Sequence, residues 1–307
     1  MPSKFSIIIP VFNGGKTLPH VLLSIYEQSF QDYEVILYDD LSTDNSASIL
    51  NLWKKKFKNK CKVFYGKKNN GAYFAGEKML GVATGSYIVY GAQDNIFSSD
   101  RLETINRITV ENPNNLFITS NCYVGTLKTF LKKKGLLLIG LSTFLSPSFH
   151  SLLLFRSAFF QFDNIVAHKS YAKHYYNAYN YSPSEDFYFV FSSLFNDKIL
   201  TKYYLHINKP LLYKIDDKSS QTYSKSFEIF NKSNKIISSF SLSYSVNFFG
   251  FASSKLLYLI RAKKRHKVIR MLFFHPHVFF CGVVLIFLRY IIHQALSRRK
   301  SVLKSFN

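Results

Sequence analysis

A chain of 307 residues with 47% hydrophobic content is long enough to bury a full core, either as one large domain or as a domain with an appendage. Its three cysteines, Cys61, Cys122 and Cys281, are odd in number and far apart, which argues against a disulfide framework or a zinc cluster and for a reducing compartment. The net charge is +22, and its distribution excludes an evenly charged chain. No Asp or Glu follows Glu228, and the final 79 residues hold 14 Lys or Arg.

In chain order, Phe5 to Pro10 is a continuous apolar run and reads as a buried strand. Leu18 to Glu27 has apolar residues at helical spacing. Val35 to Tyr38 is a second strand, and it ends in two carboxylates, Asp39 and Asp40, followed by the turn-formers Ser42, Thr43 and Asp44. A helix is predicted over Ser46 to Lys56, with Ile49, Leu50 and Trp53 on one face. A short strand over Cys61 to Tyr65 and a helix over Tyr73 to Ala83 follow. Tyr87 to Ala92 is a strand running into Gln93-Asp94-Asn95. Asp100 to Val110 is a helix that stops before Pro113, because the residue ahead of a proline is pushed out of helical geometry. Leu116 to Ser120 is one more strand. Strands separated by helices of this length imply an α/β fold, a mainly parallel sheet with helices on both faces. The Ile7-Ile8-Ile9 run stops at Pro10 and is too short for a signal peptide.

The middle of the chain is less regular. Lys132-Lys133-Lys134 precedes the nearly all-apolar Gly135 to Leu145, which reads as a core element or as a membrane-contact surface. The charge break places a boundary near residue 228. Residues 1–228 form the first unit, with halves 1–120 and 121–228, and residues 229–307 a basic, apolar, mainly helical tail. The longest unbroken apolar run of the tail, Val278 to Leu288, is about half the ~20 residues that span a bilayer. Basic clusters flank it at residues 261–267 and 298–300. This pattern fits a segment lying on an anionic membrane surface. An ordinary helix pair packed on the first unit is the plainer alternative. A nucleic-acid partner has no recognised motif behind it.

In open α/β sheets, ligands bind outside the carboxyl ends of the strands, so Asp39 and Asp40 are placed to meet one. Asp94 ends a later strand in the same way. Pro10-Val11-Phe12-Asn13 after an apolar strand, and Asp39-Asp40-Leu41-Ser42-Thr43-Asp44 after the second, closely resemble the opening of the family-2 glycosyltransferases. The resemblance extends over roughly residues 4 to 225 and implies the GT-A fold, which is Rossmann-like.

What that resemblance implies about the site can be given residue by residue. Asp40 would accept from a pyrimidine N–H, and Pro10 and Phe12 would line the base and ribose. Asn70 lies in Asn69-Asn70-Gly71, similar to the family's Asn-x-Gly loop. Relatives often carry an Arg a few residues later, where this chain has Ala75-Gly76-Glu77. Asp94 falls at the family's acidic metal motif and would hold Mn2+ or Mg2+, hard cations that take oxygen ligands. Ala92 and Gln93 stand where Asp is common, and Gln93 would reach a ribose hydroxyl. Asp216 occupies the place of a ligating His and would be a second metal ligand. Glu185-Asp186 precedes an apolar, helix-like run. Adjacent acids there can serve only the helix dipole, but the resemblance makes Asp186 the general base and Glu185 an acceptor-side contact. His150 is a further acceptor-side candidate. An Asp base implies direct displacement with inversion. The implied activity is transfer from a nucleotide-sugar donor, UDP-sugar being the commonest in the family, to a glycan or lipid-linked acceptor in capsule or lipopolysaccharide synthesis. The place would be the cytoplasmic face of the cell membrane. A non-catalytic partner in a polysaccharide-assembly complex is the alternative, motivated by Ala92 and Gly76.

Overall fold

The computed structural model describes residues 3–113, 117–133, 136–138, 164–172 and 204–215, together with Val283. The first apolar run forms β1 (Phe5–Val11), followed by α1 (Leu18–Tyr26), β2 (Tyr33–Asp39) and α2 (Ser46–Phe57). Then come β3 (Cys61–Tyr65), α3 (Ala72–Val82), β4 (Tyr87–Tyr90), β5 (Asn95–Phe97) and α4 (Arg101–Glu111). The remaining described elements are β6 (Phe117–Gly125), α5 (Leu127–Leu131), β7 (Leu136–Leu138), β8 (Val166–His168) and β9 (Tyr204–Ile215).

All nine described strands join one sheet in the order β3-β2-β1-β4-β8-β6-β9-β5, with β7 added on β6. The half built by β1 to β4 is parallel, as the alternation of strands and helices predicts. The other half is mixed. β8 runs antiparallel to both β4 and β6, β5 runs antiparallel to β9, and only β6 and β9 pair in parallel there. The expected mainly parallel sheet is therefore a mixed one.

Helices cover both faces. Ile7 and Ile9 of β1 and Val35 and Leu37 of β2 pack against Leu18, Leu22, Leu50, Trp53 and Leu102 from α1, α2 and α4. Ile8 and Ile36 point the other way, onto Tyr73, Ala75 and Met79 of α3. The alternation is the period-2 signature of a strand buried on both sides.

At the amino ends of these strands, away from the carboxyl edge, sits a buried carboxylate. Glu34 is 6% exposed. It accepts from Ser6 Oγ at 2.7 Å, from Thr84 N at 2.5 Å, from Thr84 Oγ1 at 2.7 Å and from Lys62 Nζ at 2.9 Å. Burial alone would raise its pKa. The hydrogen bonds from Lys62, Thr84 and Ser6 together outweigh it and bring the group from 4.5 to about 2. A depressed folded pKa contributes stability that is complete above the unfolded value and is lost as pH falls toward the folded one. Glu34 should thus add about 3 kcal/mol at neutral pH, lost between about pH 4.5 and pH 2. Denaturant unfolding of wild type and Glu34→Gln across that range checks it. The stability gap between the two proteins should narrow as pH falls, and a pH-independent gap would rule the linkage out.

His206 on β9 is pushed down to about 4 by burial. Its Nδ1 lies 2.9 Å from Thr119 Oγ1 and its Nε2 2.8 Å from Asn121 Oδ1, so a neutral imidazole ties β9 to β6.

Candidate active site at the carboxyl edge of the sheet

The loops that leave β1 and β2 are locked together at the carboxyl edge. Ser42 Oγ accepts from Asn13 N at 3.0 Å, and Asn13 Oδ1 in turn accepts from Thr43 N at 2.8 Å. Ser46 Oγ accepts from Gly14 N at 2.9 Å, and Asp44 Oδ2 accepts from Gly15 N at 2.9 Å. Asp44 also takes Ser46 N and Ser46 Oγ on its other oxygen, at the start of α2. Burial raises the Asp44 pKa, but these hydrogen bonds prevail and lower it. Asn13 and Leu41 turn the chain with φ of 52° and 63°.

The two adjacent carboxylates at the end of β2 do different work. Asp39 Oδ1 accepts from Ser42 N at 3.1 Å and shapes its own turn. Asp40, 2% exposed, reaches across to the loop before α3. Its two oxygens accept from Asn70 N at 2.9 Å and Gly71 N at 2.7 Å. Gly71 has φ of 88°, a value that side chains resist, so this loop turns where only glycine is at ease.

Asp94 lies on the turn after β4, beside β1. The turn is held by Gly91 N to Ile8 O at 3.0 Å and by Asn95 N to Ala92 O at 3.1 Å. Ile215 N donates to Asp94 O at 2.8 Å, so the end of β9 is docked on this turn. Asp94 is half-buried, as are Pro10 and Phe12. Gln93, expected to reach a ribose hydroxyl, places its amide on the backbone of Phe12 in this structure. Its Oε1 accepts from Phe12 N at 2.7 Å and its Nε2 donates to Phe12 O at 2.9 Å.

The structure therefore gathers Pro10, Phe12, Asp40, Asn70, Gln93 and Asp94 along one edge. Asp186, Glu185, Asp216, His150, the Gly135 to Leu145 run as a membrane or core element, and the tail lie outside the described residues, Leu136–Leu138 and Val283 excepted. Asp216 directly follows Ile215 in the chain. Among the described residues, no group of three or more His, Cys, Asp or Glu is arranged to hold a metal, and no helix is long and apolar enough to cross a membrane. Sequence reasoning missed the roles of Gly14, Gly15 and Ser46. The signal available was the Gly-Gly pair after Asn13, which leaves backbone N–H groups without side chains to shield them.

Acidic groups and backbone turns are collected at the carboxyl ends of the parallel strands, the edge where open α/β sheets take their ligands. Residues 6–203 match the family model for glycosyl transferase family 2, and the chain belongs to that family. Among curated relatives, it is 33% identical over 105 residues to glycosyltransferase GlyG of Streptococcus pneumoniae, which is 34% of this chain and 35% of the relative. The aligned part thus spans about a third of that relative's length. The fold is shared with residues 1–349 of S. aureus TarS in complex with UDP-GlcNAc, at a TM-score of 0.58 and 18% identity, over 83% of this chain and 72% of that one. It is also shared with the mannosyltransferase PcManGT of Pyrobaculum calidifontis in complex with GDP-Man and Mn2+, at a TM-score of 0.54 and 13% identity, over 92% and 87% of the two chains. The GT-A arrangement read from the sequence is the observed one.

Proposed function

We propose that this protein is an inverting, metal-dependent glycosyltransferase that moves a sugar from a nucleoside-diphosphate sugar, UDP-linked by preference, to a lipid-linked or growing polysaccharide acceptor. The observation that carries this reading is the buried Asp40 carboxylate, which anchors the Asn70-Gly71 loop on the sheet edge that also carries Asp94. Each Asp40 oxygen has a second lone pair to accept a nucleobase N–H. Pro10 and Phe12, half-buried at the end of β1, would flank the base and ribose.

Asp94 offers a hard-oxygen ligand, and the docking of Ile215 beside it brings the chain next to it just ahead of Asp216. These two carboxylates suit Mn2+ or Mg2+, which accept one or two carboxylates with phosphate and water completing the shell. Such an ion, when bound, would neutralise the departing diphosphate. Asp186 would take the proton of the acceptor hydroxyl as it attacks from the face opposite the diphosphate, with Glu185 contacting the acceptor. Mn2+ in the PcManGT complex and UDP-GlcNAc in the TarS complex support the cofactor and donor classes.

Titration of UDP, GDP and CDP into the protein by calorimetry, with and without Mn2+, tests the site. One nucleotide should bind with Mn2+ dependence, and Asp94→Ala should lose that dependence. A folded protein that binds none of the three would favour the second reading, a non-catalytic partner in polysaccharide assembly. That reading draws on the turn at residues 92–95, where Asp94 is the sole carboxylate and Gln93 is engaged with Phe12.

In the same proposal, residues 1–228 are the catalytic unit and residues 229–307 hold it on the anionic inner face of the cell membrane. The tail's 14 basic residues and no acidic ones support this. The full chain should pellet with vesicles containing anionic lipid and release at high salt. Equal recovery in the supernatant with and without such vesicles would remove the membrane assignment.

A further inference from the structure

The hydrogen-bonded ladder between β1 and β4 ends at Ile8 and Tyr90, and Gly91 N to Ile8 O is the last backbone bond between the two segments. Beyond it, β1 continues through Val11 with its pairing to β2 alone. The 91–95 turn is joined to this outer part of β1 by a side chain. Gln93 meets both the N–H and the C=O of Phe12, at 2.7 Å and 2.9 Å, so its amide repeats the two-point pairing of neighbouring strands four residues past the end of the ladder. The fit is close. A Cβ placed on Gly14 would come within 2.6 Å of Gln93 Oε1 and 2.9 Å of its Cδ. Gly14 has no positive φ, so its constraint is space and not backbone conformation.

We propose that Gln93 is a positioning residue for the donor site. It fixes Phe12, on the loop that would line the nucleotide, to the turn that presents Asp94. The Asp94 carbonyl also accepts from Ile215 N, so the outer end of β1, the Asp94 turn and the end of β9 are joined. This rests on reading the edge as a nucleoside-diphosphate site. Holding the two contact groups at one separation before the ligand arrives lowers the ordering cost of binding, and a misplacement of about 1 Å at such a site can cost roughly a hundredfold.

Two variants separate this from a general packing role. Gln93→Met keeps the length and loses both hydrogen bonds. Gly14→Ala leaves Gln93 in place but pushes its amide away, because the atoms nearest the added Cβ, Oε1 and Cδ, are the free end of a flexible side chain. Protection of the Phe12 amide from hydrogen exchange, and affinity for UDP, GDP or CDP with Mn2+, are measured on the full chain.

Protection at Phe12 should fall in Gln93→Met and in Gly14→Ala, and nucleotide affinity should drop about tenfold or more in each. The double variant should be no worse than the worse single one, since both break one lock. Unchanged Phe12 protection in folded Gln93→Met overturns the lock itself. Lost protection with unchanged affinity overturns its part in donor binding. A wild type that binds no nucleotide counts against the functional reading alone, and the exchange data still decide the lock. If Gln93→Met does not fold, Gly14→Ala, read by the same Phe12 protection and nucleotide affinity, decides in its place.

Discussion

Asp40→Asn is expected to lower nucleotide affinity by about thirtyfold or more and to destabilise the fold, whereas Asp39→Asn one residue earlier should do little. The difference follows from the partners. Both oxygens of Asp40 receive backbone N–H groups, from Asn70 and Gly71. An Asn has one oxygen, and its NH2 would face the second N–H donor-to-donor. At 2% exposure the stranded group has little access to solvent to compensate. Hydrogen bonds to a charged partner contribute about 1.5–3 kcal/mol each, so the loss should appear in denaturant unfolding on that scale. About 2 kcal/mol converts to roughly thirtyfold in affinity if the loop is as necessary for the nucleotide as proposed. Asp39 accepts from Ser42 N through Oδ1, a bond that the Asn oxygen can keep. Equal effects of the two substitutions on affinity would show that Asp40 has no special place in the donor site.

The contrast between those two neighbours also marks where sequence reading stops. Apart from β5, the strand and helix pattern from β1 to α4 was legible to within a few residues, because long apolar runs and helix-spaced apolar faces are local signals. β5 and β8, three residues each, are too short to show a period. β9 was hidden for another reason. Its sequence, YLHINKPLLYKI, contains Asn208, Lys209 and Pro210, which read as a break. The strand survives because the parallel pairing with β6 shifts register around Asn121, which is where Pro210 pairs.

Site residues divide in the same manner. Acids at strand ends could be recognised as a candidate edge, but nothing local distinguishes Asp39 from Asp40, since the partners of Asp40 lie 30 and 31 residues away. Gln93 was harder still. Its partner is a backbone 81 residues distant, and backbone carries no sequence signal. The Pro-x-x-Asn and Asp-Asp-x-Ser-x-Asp segments identified the family, yet three of their members, Asn13, Ser42 and Asp44, hold the two loops together, and Asp39 shapes the turn of its own loop. The most recognisable residues of this chain are in good part those that build the edge, and fewer of them face a ligand.

Asp186→Asn should separate chemistry from donor binding. The substitution keeps shape and hydrogen-bonding capacity but removes a group able to take a proton. General base catalysis is typically worth 10²–10⁴-fold, so kcat for sugar transfer should fall by about that factor. Nucleotide affinity should stay near wild type, because the proposed donor contacts, Asp40 and Asp94, lie on the edge formed by β2 and β4. The family match reaches residue 203 and so includes Glu185 and Asp186. Glu185→Gln offers a graded control, since a contact to acceptor should raise the acceptor KM more than it lowers kcat. The pH profile adds a further check. If Asp186 is the base, the acid limb of kcat/KM in the wild type reports its protonation, and that limb should vanish from the residual activity of Asp186→Asn. Full turnover by Asp186→Asn would remove it as the base and shift attention to Glu185, its neighbour at the start of the same apolar run. Loss of nucleotide binding together with turnover would mean that the Glu185-Asp186 segment shapes the donor site, and the division of labour between the two parts of the site would have to be redrawn.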